Sequence, residues 1–123
     1  FVGTVPDDEL SELYGTANLH VFPVQHLSND PEGFGMVAIE AAAHGLATVA
    51  FRTGGVPDAV SEGTSGRLID PGDDAAFARA AIALMECPLP VERCRSFAQE
   101  FSWNRIGEKL AVALNLTSEQ KLT

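Results

Sequence analysis

Basic side chains are almost missing from the first half of this 123-residue sequence. Up to Glu62, nine acids (Asp7, Asp8, Glu9, Glu12, Asp30, Glu32, Glu40, Asp58 and Glu62) face a single base, Arg52. The remainder balances eight acids with seven bases, and the formal net charge is −9. Charge distributed in this way makes nucleic acid and anionic lipid poor direct partners. Cysteine is scarce as well, with only Cys87 and Cys94. Two thiols form no disulfide framework and fit a reducing compartment. Their spacing matches no common zinc pattern, so both read as ordinary buried or half-buried side chains. No apolar run reaches the length of a transmembrane helix. No basic-then-apolar leader opens the sequence, which argues against a signal peptide. A cytoplasmic setting is the expectation. Glycine pairs occur without the Gly-Lys-Ser/Thr of a Walker loop, and no Gly-x-Gly-x-x-Gly follows the first expected strand. A phosphate loop of that type and an oxidoreductase dinucleotide domain are therefore both disfavoured. No cofactor and no metal site are expected.

What is present is a regular alternation of short apolar runs and amphipathic stretches. Apolar residues make up 46% of the chain, enough for one domain with a real core at this length. Residues 1–5 read as a strand. Pro6 and Asp7 then open a helix whose stripe is Leu10, Leu13 and Tyr14, with Gly15 weakening its end. Residues 19–23 form a second strand, and 24–31 a loop rich in Asn, Asp and Pro. A helix is expected from about 34 to 44, with Gly45 as its C-terminal cap. Residues 47–51 are continuously apolar, as in a strand buried on both faces of a parallel sheet. A short helix over 56–61, a strand over 67–69, and a strong amphipathic helix over 73–86 follow, the last stopped by Pro88 and Pro90. Helices over 91–100 and 103–114 close the chain, Trp103 packing the last of them against the sheet. Strands alternating with helices through short connections predict an α/β, Rossmann-like parallel sheet with flanking helices. Sites in such folds lie at the carboxyl ends of strands. The loop holding Glu32 and the loop holding Gly54 and Gly55 should therefore open on one edge.

The stretch from Glu32 to Glu40 reads Glu-Gly-Phe-Gly-Met-Val-Ala-Ile-Glu. A helix starting near Gly35 leaves its first N–H groups without intrahelical acceptors, facing the mouth of the loop. Free donors and the helix dipole together favour hydroxyls or anionic oxygens there. Glu40 on the helix can accept hydrogen bonds from a polyol such as a ribose, and Glu32 can serve a second group. Two acceptors and a row of donors suit a sugar nucleotide. Arg52, the one base nearby, reads as a surface ion pair, with phosphate contact as the other option. His20 is expected in or near a strand and His44 at a helix end. His26 lies in the loop before the motif, with no identifiable partner.

Glu32-Gly33-Phe34-Gly35 with Glu40, then Ala41-Ala42-Ala43-His44-Gly45, then Gly54-Gly55-Val56-Pro57-Asp58, resembles the donor-sugar half of GT-B retaining glycosyltransferases. That is the group 1 family with the Glu-x7-Glu motif. Phe1-Val2-Gly3 with Glu9-Leu10 and Leu13-Tyr14 upstream fit the same series. So do Gly63, Gly66, Leu68, Pro71 and Phe101-Ser102-Trp103 downstream. The resemblance implies that residues 1–123 are the incomplete C-terminal, nucleotide-sugar-binding domain of a GT-B fold. The acceptor domain, its catalytic histidine and a basic pair gripping the diphosphate would lie upstream. It implies a metal-independent hexosyltransferase using a UDP- or GDP-sugar, with an acceptor glycan, lipid or small molecule. Glu32 would stand beside the donor sugar, as nucleophile or as electrostatic stabiliser. Gly33, Phe34, Gly35, Met36 and Val37 would offer backbone donors to sugar or diphosphate. Glu40 would bind the ribose hydroxyls, and Gly54-Gly55 is a candidate phosphate loop or a plain turn. The fragment alone is expected to be inactive and to self-associate through an open sheet edge. Any peripheral membrane contact would come through the upstream part. Residues 24–31 form a longer loop than many relatives carry, which bears on donor selectivity. The rival reading is a non-catalytic nucleotide-sugar-binding module completed by another chain.

Overall fold

The computed structural model describes residues 2–25 and 35–114. Among them, three strands run parallel in chain order: β1 (His20–Phe22), β2 (Thr48–Phe51) and β3 (Gly66–Ile69). His20 pairs with Thr48 and Phe22 with Ala50 on one side of β2, and Thr48 pairs with Gly66 and Phe51 with Ile69 on the other. Every residue of β2 is buried, as a central parallel strand covered on both faces requires. Gly66 is needed in that register, because a Cβ there would run into the Thr48 carbonyl of the neighbouring strand.

Six helices complete the described residues: α1 (Asp7–Thr16), α2 (Met36–Ala43), α3 (Val56–Ala59), α4 (Asp74–Glu86), α5 (Val91–Gln99) and α6 (Trp103–Ala113). Alanines let α2 approach its neighbours closely, and Ala38, Ile39, Ala41 and Ala42 are all buried. Its C-terminus closes as expected on Gly45, at φ 80°. The Gly45 N–H reaches the Ala42 carbonyl at 2.9 Å and the Leu46 N–H the Ala41 carbonyl at 3.0 Å, which is a Schellman closure. Asp73 caps α4 by accepting from the Ala76 N–H at 2.9 Å. Phe77 of α4 then packs on Phe51 with ring centroids 4.6 Å apart. The core gathers α2, β2, α3, α4 and α5 around Val49, Ala50, Val56, Val60, Leu84 and Cys94. Each buried valine in it contributes about 1.5–3 kcal/mol through removal from water.

Four sequence expectations need correction. Residues 2–5 form no strand, so the sheet has three strands among the described residues and not four. Gly3 turns to φ 69°, which interrupts an extended run, and Val2 is exposed, with no apolar face to bury. The motif helix begins at Met36, two residues late, because Gly35 is left-handed at φ 77° and stands outside the helix. Trp103 does not pack against the sheet: it is 87% exposed. It occupies the first turn of α6 beyond the Ser102 cap, and that helix buries only Ala111. Cys94 is buried as expected, but Cys87, just past the end of α4, is exposed, and both thiols are free.

Among the described residues no helix is long and apolar enough to cross a membrane.

Candidate functional site

All three strands point the same way, so the loops leaving β1 and β2 emerge on one edge, and they touch there. The Thr53 hydroxyl, buried just past β2, donates to the Val24 carbonyl just past β1 at 3.2 Å. Gly35, where the first loop ends and α2 begins, lies against the end of β1 and against α3. A Cβ on it would stand 3.4 Å from Phe22 Cε1 of β1, 3.5 Å from Ala59 Cβ and 3.7 Å from Val56 Cγ2 of α3. Glycine meets both demands of this position, a left-handed φ and a close approach.

The N-terminus of α2 thus opens beside the Gly54-Gly55 turn. Met36 and Val37 are its first two residues, both exposed, and their N–H groups have no acceptor within the helix. Ala38 begins the internal bonding, its N–H reaching the Gly35 carbonyl at 2.9 Å. Gly54 adopts φ 51°. The turn closes when the Val56 N–H donates to the Thr53 carbonyl at 3.0 Å, which starts α3 with Pro57 in its first turn. Arg52 also stands at this edge, immediately after β2, and pairs with Asp70 at 3.8 Å. Both side chains are largely exposed, so the pair is weak. That matches the surface ion pair expected from the sequence.

Glu40 sits a little more than one turn into α2, exposed on the flank facing α1. The Tyr14 hydroxyl donates to its Oε2 at 3.4 Å. The Tyr14 ring lies stacked on His44, with centroids 5.1 Å apart, and edge-on to His20 at 6.1 Å. His20 in turn stacks on Phe22 at 5.8 Å, and Phe22 meets Gly35. A line of rings therefore runs from α1 along β1 to the start of α2. His44, the residue ending α2 as expected, is fixed through both nitrogens. Nδ1 lies 2.8 Å from the Glu40 carbonyl, and Nε2 lies 3.0 Å from Ser11 Oγ. A carbonyl only accepts, so Nδ1 carries the proton. His20, found in β1 as expected, bonds through Nδ1 to Thr48 Oγ1 at 3.0 Å. Burial holds its pKa below the usual histidine value. Burial first, then the charge and the hydrogen bond of Glu40, hold the Tyr14 phenol above its usual value.

Of the residues singled out in the sequence, Gly35, Met36, Val37, Glu40, Gly54 and Gly55 are placed along this edge and the adjoining flank of α2. Glu32, Gly33, Phe34 and His26 lie outside the described residues. Sequence reading took Tyr14 for part of an apolar stripe and missed its link to Glu40. The one available signal was that the chain's single tyrosine shares a helix face with Leu10. Ser11 gave no signal. Among the described residues no cluster of three His, Cys, Asp or Glu side chains could hold a metal ion. A hollow of about 590 Å³ lined by Val2, Thr4, Val5, Glu9, Glu12, Leu13 and Thr16 lies on the opposite face of α1 from Tyr14 and shares none of these groups.

The profile of the family described as "Glycosyl transferases group 1" matches residues 1–101. Among curated proteins, the D-inositol 3-phosphate glycosyltransferase of Geodermatophilus obscurus is 37% identical over 123 residues, covering 98% of this chain and 26% of that protein. Among solved structures, the sucrose-phosphate synthase of Thermosynechococcus elongatus superposes with a TM-score of 0.76 at 30% identity, covering 94% of this chain and 29% of that one. HepE of Anabaena in complex with UDP superposes with a TM-score of 0.66 at 28% identity, covering 85% of this chain and 29% of that one. The chain spans about a quarter of the length of the curated relatives it matches.

Proposed function

The chain belongs to the group 1 glycosyl transferase family, and from that premise we propose that it is the C-terminal, donor-binding half of a retaining GT-B glycosyltransferase. Residues 1–123 would bind the nucleoside-diphosphate sugar, and an upstream acceptor domain would complete the active site. The observation that carries this reading is the meeting at one sheet edge of the α2 N-terminus and the Gly54-Gly55 turn, with the Glu40 carboxylate exposed on the adjoining flank of α2. Each supplies what one part of such a donor requires: N–H donors for anionic oxygens, close backbone approach, and an acceptor for paired hydroxyls. The UDP named in the HepE complex, and the UDP-glucose of its second complex, make a UDP-sugar the first donor to try.

On this reading the N–H groups of Gly35, Met36 and Val37, continuing from Gly33 and Phe34, stabilise the charge that grows on the departing diphosphate. Glu32 stands by the sugar and stabilises positive charge on the ring or attacks it. Glu40 holds the ribose. The proposed reaction is metal-independent and uses no cofactor. The acidic balance of this half leaves the main cationic grip on the diphosphate to the upstream part, and the isolated chain is then inactive. Any membrane contact would be peripheral and made by that part. The two free thiols suit a cytoplasmic setting. A non-catalytic nucleotide-sugar-binding module is the second reading, favoured by the same edge with no chemistry assigned to Glu32.

Calorimetric titration with UDP, GDP, UDP-glucose and GDP-mannose tests the donor site. We expect binding of one nucleotide class, weakened in Glu40→Ala. Undiminished binding by that variant would remove Glu40 from the site.

A further inference from the structure

We propose that Tyr14 is a positioning residue for the nucleotide: clamped between His44 and His20, it holds one oxygen of Glu40 and leaves the other aimed at the ribose hydroxyls. This inference rests on the donor-site reading of Glu40. Tyr14 is not placed as a core residue, since α1 buries none of its side chains. Its ring is nonetheless fixed from two sides, stacked on His44 and edge-on to His20. His44 is itself tied to Ser11 of α1 and to the α2 backbone, so the clamp joins the two helices. The tyrosine hydroxyl spends its proton on Glu40 Oε2. Among the described residues neither a cation nor another donor reaches the carboxylate, so Oε1 remains for a ligand.

The choice of partner matters chemically. A lysine or arginine would fix Glu40 and also neutralise it, weakening it as an acceptor. A phenol fixes it by a hydrogen bond and leaves the charge, and charge-assisted bonds to hydroxyls are the strong ones. An exposed glutamate with no such tether would have to surrender its rotamer freedom each time a nucleotide bound. Burial and Glu40 itself keep the phenol protonated through the neutral range, so the tether persists wherever the enzyme works.

The test uses the complete protein carrying this chain, with UDP and GDP and their 2′,3′-dideoxy counterparts as probes. Tyr14→Phe keeps the ring clamp and removes only the hydroxyl. It should weaken whichever nucleotide the wild type binds by about three- to tenfold. It should leave affinity for the dideoxy counterpart and the unfolding midpoint unchanged. Equal weakening of both probes would mean a merely structural ring and overturn the inference. So would wild-type affinity for both in Tyr14→Phe while Glu40→Ala loses its preference for the ribose hydroxyls. A Glu40→Ala variant that keeps that preference, or a wild type that binds neither nucleotide, would overturn the underlying reading and this inference with it.

Discussion

His20 lies between Tyr14 and Phe22 and is bonded to a buried threonine. Burial depresses its folded pKa below the ordinary value of about 6.5. A depressed pKa means that the native state resists a proton that the unfolded chain accepts. The associated stability is fully present above the unfolded pKa and is lost as pH falls through the folded one. Urea unfolding of His20→Gln between neutral and mildly acid pH should therefore show a shallower decline than wild type. Parallel declines would mean that His20 titrates normally. The same residue bears on what a sequence can tell. A histidine in a strand was foreseeable from its apolar neighbours, whereas its place in a line of rings depends on which helix face crosses β1. No local pattern encodes that.

At the scale of elements, α2 and α5 meet in a close joint at Gly45. Gly45 ends α2 at φ 80°, and a Cβ there would collide with Val91 Cγ1 at the start of α5. Gly45→Ala combines a left-handed penalty with overpacking, together about 2–4 kcal/mol. A urea-derived unfolding free energy that falls by that amount with unchanged slope would confirm it, and a neutral result would show that α5 can step aside. Helices α1 to α6 and the strands β1, β2 and β3 were legible because period, caps and breakers agreed. Asp73, Gly45 and Ser102 stand at the ends they mark. The failures share one cause, the weighing of a residue type without its neighbours. Residues 2–5 look like a strand only if Gly3 stays extended. Trp103 looks like a core anchor only if its helix faces the sheet from the first turn.

For the whole molecule, the open question of assembly follows from the sheet. Among the described residues β1 bonds only to β2, so its other edge is unpaired, and such edges recruit strands from other chains. The net charge of −9 opposes that association, and salt screens the opposition. Sedimentation of this chain should show reversible self-association that strengthens with ionic strength. A single monomeric boundary at every salt concentration would rule it out. The bond from Thr53 to the Val24 carbonyl, with Gly35 wedged against Phe22, Val56 and Ala59, has a consequence of another kind. The chain is riveted to the scaffold on both sides of residues 25–34, by contacts that use none of those side chains. Val24 and Gly35 are thereby two fixed posts at the carboxyl edge of the sheet, and a substitution at Thr53 or Gly35 would loosen one of them.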